Sequence, residues 1–366
     1  MVPNVQTAII QSVSAESNTS LPLAISHSVS VPRIHSPYHV LVRILAVSLN
    51  PTDCKMVSHF YKEGNATGCD FCGIVEQVGS SAVIPIGTRV CGAVFPYGID
   101  NVCNGAFSQW VAADSRHMLK VPSEWSDIQA AALGAVGWGT SCLSLSDLDA
   151  LGLTGIPSRP VETRRPILVY GGATSTGLMA LQLLKLSGYA PIAVCSPTSE
   201  PLVMKYGAVG TASYKSTDCV EVIKSIAGGI PIRHALDCIT NAESAAICFG
   251  ALGRTGGRYV CLEQFHDAWR TRQAIKVKVV MGFEMQGVDV NLGHDTYSRK
   301  ARPELHLIGM DWSKEVQTLL DAGALMTPPV LELQGGYVGI LDGLQGLNDG
   351  KARGQKLVVR VSGRDV

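Results

Sequence analysis

The residues with the clearest chemical potential form a glycine-rich turn. The apolar run Pro166 to Tyr170 enters Gly171-Gly172-Ala173-Thr174-Ser175-Thr176-Gly177, and a second apolar stretch follows from Leu178. Strand, tight turn and helix in that order present free backbone N–H groups and the positive end of a helix dipole, which is how a dinucleotide pyrophosphate is held. The spacing is G-x-T-x-x-G, with Thr174 at the middle glycine, so on the turn alone a purely structural βα corner stays open as an alternative. Where NAD enzymes carry Asp or Glu for the ribose hydroxyls, this chain has Cys195-Ser196-Pro197-Thr198-Ser199. Hydroxyls and backbone donors suit a 2′-phosphate that a carboxylate would repel, so NADPH is favoured over NADH. Lys205 adds a charge nearby, on what reads as a solvated helix face.

Two other chemistries compete for these residues. Ala173-Thr174-Ser175-Thr176-Gly177 also has the A-x-S-x-G form of a nucleophile elbow, with Asp237 and His266 following in hydrolase order. A serine hydrolase would need strands of its own sheet ahead of the elbow, and the preceding half is patterned as a barrel instead. Cys69-x-x-Cys72 invites a metal or redox reading, but no second C-x-x-C exists, so two small core residues explain it better.

The elements that must position these residues fall into two groups. From Thr7 to Val121 the chain is β-rich, with alternation in Val40 to Leu49, Gly73 to Val78, Thr88 to Val94 and Phe107 to Val111, broken by Gly and Pro. Ser126 and Gln129 form a capping box ahead of Ala130 to Leu133, which starts a helix. Leu151 to Arg165 reads as a loop. Beyond it, strands at Pro166 to Tyr170, Pro191 to Cys195, His234 to Cys238, Arg258 to Leu262 and Lys276 to Met281 alternate with helices, the form of βαβ units on a parallel sheet. Leu178 to Leu186 is apolar on nearly every face, as for a helix buried on both sides. After residue 300 a helix, the pair Leu331 and Leu333, a Gly-Gly turn, another helix and the final strand Lys356 to Val361 are expected to rejoin the N-terminal half. The implied domains are 1–140 completed by 300–366, and 141–299.

The bulk properties narrow the function. A chain of 366 residues is comfortable for two domains, and 46% hydrophobic against 16% charged residues describes folded protein. Thirty basic and thirty acidic side chains cancel, leaving no field to draw in nucleic acid or an anionic membrane. No stretch has the form of a secretory signal or of a continuous apolar span, so a cytoplasmic location is expected. Eleven cysteines, an odd number set in apolar segments, suit reduced core thiols.

Taken in order, several segments resemble the medium-chain dehydrogenase/reductase superfamily: Asn50-Pro51-Thr52-Asp53-Cys54-Lys55, Gly68-Cys69-Asp70 running to Gly79, Gly87-Thr88-Arg89-Val90, Gly105 to Val111 and Ala130-Ala131-Ala132-Leu133. The resemblance implies a GroES-like β-barrel domain joined to a Rossmann doubly wound parallel-sheet domain. Asn-Pro-x-Asp-x-Lys is similar to the zinc-free quinone and enoyl reductase branches. Zinc members carry Gly-His-Glu where this chain has Gly68-Cys69-Asp70, and the cysteine they place near Ala135-Val136 is absent. No metal is therefore expected. Leu186-Ser187-Gly188-Tyr189, Cys195-Ser196-Pro197, Ala235 to Asn241 with Glu243-Ser244, and Lys356 to Arg360 narrow the likeness further. They resemble the trans-acting enoyl reductases that serve fungal highly reducing polyketide synthases, typified by the lovastatin enoyl reductase.

That resemblance implies a cofactor lining of Thr52, Asp53, Cys54, Lys55, Gly172, Thr174, Ser175, Thr176, Gly177, Ser196, Pro197, Thr198, Ser199, Tyr214, Leu262, Glu263 and Lys356. It implies an acyl-chain lining of Thr140-Ser141-Cys142-Leu143-Ser144-Leu145-Ser146-Asp147-Leu148 and Phe283-Glu284-Met285-Gln286-Gly287. In the expected reaction, hydride reaches Cβ of an α,β-unsaturated thioester, negative charge builds on the thioester oxygen, and Cα is protonated. Lys55 leads the candidates for this cleft, as anchor, substrate contact or acid, with Thr140 offering a hydroxyl; water is an alternative proton source. The implied partner is an iterative polyketide synthase, with or without a fused peptide synthetase module, met through its acyl carrier domain by a monomeric reductase. A freestanding quinone or enone reductase and a catalytically silent cofactor-binding partner are the alternatives.

Overall fold

The structure, a computed structural model, describes residues 2–13, 20–98, 102–352 and 354–361. The chain forms two compact units, Met1–Val136 with Gln286–Pro303 and Val316–Val366, and Gly137–Met285 with Glu304–Glu315.

The first unit opens with β1 (Val5–Gln11) and β2 (Leu23–Ser30), paired antiparallel. Then come β3 (His39–Ser48), α1 (Pro51–His59), β4 (Asp70–Val78), β5 (Arg89–Ala93), β6 (Trp110–Asp114), β7 (Leu119–Lys120) and α2 (Asp127–Leu133). Strand β3 pairs with β4, with β6 and with the C-terminal strand described below, and most of its side chains are buried. Val40, Val42 and Ile44 of β3 share one core with Phe71, Val90 and Phe107. The strand expected over Phe107 to Val111 lies instead at Trp110–Asp114. Phe107 has its backbone committed elsewhere: its N–H donates to Thr67 O at 2.9 Å and its carbonyl accepts from Ile9 N at 2.8 Å. The Ser126–Gln129 capping box is present, with Gln129 N donating to Ser126 Oγ at 3.2 Å and Ser126 N to Gln129 Oε1 at 3.0 Å.

The second unit begins with α3 (Val136–Ser146) and the loop 147–165. It runs β8 (Pro166–Tyr170), α4 (Ser175–Leu186), β9 (Ala190–Cys195), α5 (Glu200–Lys205), β10 (Gly210–Ser213), α6 (Cys219–Ile226), β11 (His234–Asp237), α7 (Ala242–Ala251), β12 (Gly257–Cys261) and β13 (Ile275–Val279). All six strands are parallel in the order β10-β9-β8-β11-β12-β13. Chain order therefore reverses between β8 and β11, and a doubly wound sheet opens its ligand crevice at such a switch, beyond the carboxyl ends of the strands.

Four elements complete the chain: α8 (Pro303–Asp321), β14 (Val330–Leu333), α9 (Gly336–Asn348) and β15 (Lys356–Arg360). β15 pairs antiparallel with β3, Val359 opposite Val47, and β14 adds parallel to β15. The C-terminal segment thus rejoins the first unit. The division differs in detail from the expected 140 and 300. Residues 304–315 lie in the second unit because Trp312 Nε1 donates to Ser146 Oγ at 2.8 Å and Ser158 N to Glu315 Oε2 at 2.9 Å. Residues 286–303 lie in the first, where the rings of His294 and Tyr297 stand 6.1 and 5.5 Å from that of Phe60. Among the described residues one helical stretch, Asp127–Ser146, has the length and hydropathy of a membrane span, and 89% of it is buried inside the protein, as a core helix is.

Candidate active site

In the second unit the glycine turn leads into α4 with Thr174 at the N-cap. Its Oγ1 accepts from Gly177 N at 3.0 Å and donates to Gly171 O at 2.8 Å. The residue that departs from G-x-G-x-x-G is thus the cap that closes the turn, and the first-turn amides of α4 head the helix as an anion site requires. The turn has no room for larger residues: a methyl on Gly172 would stand 2.9 Å from Ala193 Cβ, and one on Gly177 2.4 Å from Gly171 O. At the end of β9, Ser196 Oγ lies 2.9 Å from Thr198 Oγ1 and 2.8 Å from Ser199 Oγ. Three hydroxyls therefore converge where a dinucleotide enzyme selects its ribose. The nearest carboxylate in sequence, Glu200, is exposed in the first turn of α5. Tyr214, partly buried, has its ring 6.4 Å from that of Tyr170, the last residue of β8. Leu262 and Glu263 follow β12, partly exposed at the same edge of the sheet. Turn, cap and hydroxyl cluster fit a dinucleotide.

The two segments expected to face an acyl chain meet within this unit. A methyl on Gly139 would stand 2.6 Å from Met285 Sδ, and one on Gly282 2.3 Å from Thr140 Oγ1. The start of α3 and the turn Gly282–Gln286 therefore touch through glycines. Their side chains are not equally accessible. Ser141, Cys142, Leu143, Ser144, Leu145 and Asp147 are buried, Ser141 Oγ donating to Gly137 O and Ser144 Oγ to Thr140 O, while Thr140 sits at the margin of burial. Leu148 is 76% exposed. Glu284 and Met285 are buried; Ser146, Phe283, Gln286 and Gly287 are partly exposed.

In the first unit α1 carries Thr52 to Lys55. Lys55 is exposed, Thr52 partly so, and the side chains of Asp53 and Cys54 are buried. Asp53 Oδ2 accepts from Asn50 N at 2.8 Å. Burial pushes the Asp53 carboxyl up to about 6, against the opposing pull of the Cys69 thiol and the Asn50 amide. Cys69 is itself held far above the usual thiol range, first by burial and then by Asp53.

Beside Asp53 lies a fully buried polar hub centred on Asp70. Its Oδ1 accepts from Ala135 N at 2.8 Å and Val136 N at 2.9 Å; its Oδ2 accepts from Asn50 Nδ2 at 2.9 Å, Lys356 Nζ at 3.0 Å and Ser48 Oγ at 3.4 Å. Gly134, at φ 44°, admits this carboxylate, since a methyl there would stand 2.3 Å from Asp70 Oδ1. Lys356 is placed differently from the expectation of a cofactor-lining residue: it is 3% exposed, and its ammonium binds Asp70 and Asn50 Oδ1.

Comparison with known proteins identifies the chain. The alcohol dehydrogenase GroES-like domain matches residues 36–123. The trans-enoyl reductase sthE of Phaeosphaeria nodorum is 56% identical over 99% of both chains, and the trans-enoyl reductase calK of Penicillium decumbens 51% identical over 98% of both. The chain belongs to the trans-enoyl reductases. Among solved structures, the CurK enoyl reductase superposes with a TM-score of 0.70 at 17% identity, covering 97% of this chain and 98% of that one. A quinone oxidoreductase from Coxiella burnetii gives 0.67 at 19% identity, covering 98% and 100%, which bears on the fold alone. The trans-enoyl reductase described here is thus a medium-chain dehydrogenase/reductase, an oxidoreductase built for a nicotinamide cofactor.

The hydrolase alternative fails on its own residues. Asp237 spends its carboxylate on Ser244 Oγ at 2.5 Å, Tyr259 OH at 2.7 Å and two backbone amides, while the ring of His266 packs against Trp269 at 4.7 Å. This Asp237 network and the Asp70 hub were not among the expected site residues. One signal for each was available: a lone Asp at the carboxyl end of an apolar strand, and an Asp left behind by the missing Gly-His-Glu motif.

Proposed function

We propose that this trans-enoyl reductase uses NADPH to reduce the α,β double bond of a polyketide thioester, delivered on the acyl carrier domain of a separate, iterative highly reducing polyketide synthase. The near full-length identity to proteins named trans-enoyl reductases carries this reading. The Ser196, Thr198 and Ser199 cluster favours a 2′-phosphate, because three neutral hydroxyls can donate to it without repelling it. When bound, the cofactor supplies hydride to Cβ of the enoyl group.

The chain's own residues do the rest. The α4 amides and Thr174 hold the pyrophosphate, with Ser196 to Ser199 at the adenosine ribose and Tyr214, Leu262 and Glu263 along the crevice. Thr52 to Lys55 complete the cofactor lining through backbone and the two accessible side chains. Lys55 offers an ammonium to the developing oxyanion or to a phosphate, and Thr140 a hydroxyl; protonation at Cα falls to one of these or to water. The acyl chain runs along the partly exposed members of 140–148 and 283–287. No metal takes part: Gly68-Cys69-Asp70 stands where zinc members carry Gly-His-Glu, no cysteine lies near Ala135-Val136, and Asp70 already has an ammonium on it. The protein acts as a cytoplasmic monomer. Edge strand β13 carries the exposed Lys276 and the partly buried Lys278, charges of the kind that oppose edge-to-edge pairing.

The test compares one enoyl group as a simple thioester, as a pantetheine thioester and on the carrier domain, with the synthase present or absent and with each nicotinamide cofactor. NADPH-dependent reduction that is fastest on the loaded carrier, and a change in the synthase's product when the reductase is omitted, are expected. Equal efficiency on a small free enone with no change in the product would favour a freestanding quinone or enone reductase.

A further inference from the structure

The strands flanking the switch point end level. Tyr170 of β8, Asp237 of β11 and Cys261 of β12 are register partners, so Gly171, Cys238 and Leu262 begin their turns side by side. Only one non-glycine residue in the described chain has a positive φ, and it lies in the middle turn: Thr240, at 63°. A β-branched residue in this region is a true outlier, and such a residue persists only where its surroundings over-determine it.

The surroundings are visible. Asp237, wholly buried, accepts from Ile239 N at 2.9 Å and Thr240 N at 3.0 Å, which bends the chain back over its own carboxylate. Ser244 from the start of α7 and Tyr259 from β12 donate to its other oxygen, so the bend is braced on two sides. Burial raises the Asp237 carboxyl above its ordinary range, while these donors oppose the rise.

Glycine would take this backbone without strain, and what threonine adds at this position is its side chain. Its Oγ1 accepts from Leu262 N at 3.1 Å and donates to Asp237 O at 3.4 Å. The bend also puts Ile239, 40% exposed, over the glycine turn: a methyl on Gly171 would stand 2.9 Å from Ile239 Cγ1.

We propose that Thr240 is a positioning residue for the dinucleotide, its bent backbone aiming Ile239 across Gly171 while its hydroxyl fixes Leu262. This rests on the reading that the crevice at the β8–β11 switch holds NADPH. Thr240 does not touch the reacting atoms; it sets the spacing between two turns that line the same crevice. A merely structural threonine would show its loss in stability, whereas a positioning threonine shows it in cofactor affinity.

Three full-length variants separate these. In Thr240→Gly the backbone is relaxed and the Leu262 clip removed, so the melting temperature should hold or rise while the NADPH dissociation constant rises about fivefold, the loss of one neutral hydrogen bond. KM for NADPH should rise with it, with kcat at saturation near the parent's. Thr240→Ser keeps the clip and should bind within about twofold of the parent, whereas Thr240→Ala should lose both stability and affinity. Undiminished NADPH binding by Thr240→Gly, with the parent binding normally, overturns this inference alone. A parent that binds no NADPH removes the cofactor reading and this inference together.

Discussion

Replacing Lys356 with methionine tests the Asp70 hub quantitatively. The pair is 3.0 Å apart with side chains 3% and 0% exposed, so no solvent screens it. Removing one partner of such a pair costs about 3–5 kcal/mol, because the other charge stays buried. Here Asp70 would keep Ser48, Asn50 and the two amides of Ala135 and Val136, which places the cost near the lower end, about 3 kcal/mol. For a unit of roughly 200 residues that corresponds to a melting temperature lower by about 6–12 °C. Asp70→Asn alone should cost about as much, since with its oxygen on the two backbone amides its NH2 group would face the Asn50 amide and an unpaired ammonium. The double variant removes both charges, so the coupling energy should be about 2 kcal/mol. Urea unfolding of the four proteins, followed by intrinsic fluorescence, closes the cycle. A cost for Lys356→Met under about 1 kcal/mol, or strict additivity, would refute the hub. So would an unchanged stability accompanied by lost cofactor affinity, which would return Lys356 to the cofactor.

Ser196→Asp should weaken NADPH binding about tenfold or more and leave NADH binding near its former value, by lost donors and added repulsion; calorimetry with both cofactors measures it, and a parallel loss for both would sink the hydroxyl-cluster assignment. Lys55→Ser should slow enoyl reduction or raise KM for the cofactor with the melting temperature nearly unchanged, because Lys55 is exposed on α1; identical kinetics would remove it from the site. Asp53→Asn should change the pH dependence of stability. The Asp53 carboxyl rises on folding from 3.8 to about 6, so folding favours its protonated form. That contribution is complete below about pH 4 and is lost as pH rises through about 6, a swing of about 3 kcal/mol at most that the amide does not share. The variant should therefore gain on the parent between those pH values, and a pH-independent difference would show that Asp53 does not titrate in this window.

Local pattern made much of the fold legible. The parallel strands were visible because each is a short apolar run between helical segments, and β8 falls on the expected residues, Pro166 to Tyr170. The Ser126 box was legible because its two side chains act within one turn. Phe107 misled, because its apolar neighbours look like a strand while its backbone is committed to Thr67 and Ile9, partners about 40 and 100 positions away. The candidate site divides the same way. Thr174 and Ser196 work through neighbours three residues or fewer away, so motif and function coincide. Lys356 works through residues 286 and 306 positions distant, and no local pattern marks an ammonium as buried. The strain at Thr240 is invisible in the same sense, since a threonine after a strand looks ordinary until its φ is known.

The departure at Gly68-Cys69-Asp70 carries more than the loss of a metal ligand. Where zinc-binding relatives have Gly-His-Glu, this chain retains the acid in shortened form, and the structure shows its use. Asp70 binds Asn50, which caps α1, and also the backbone amides of Ala135 and Val136, where α3 begins. Lys55 lies on the first of these helices and Thr140 on the second, the two residues proposed to act on the enoyl group. A buried carboxylate with five donors, one of them an ammonium, is costly to displace, so the starts of both helices are fixed by one group. A neutral amide in its place would loosen both starts at once. The expected outcome separates the hub from the proposed active residues: substitutions at Asp70 should lower the melting temperature, whereas substitutions at Lys55 should lower activity alone.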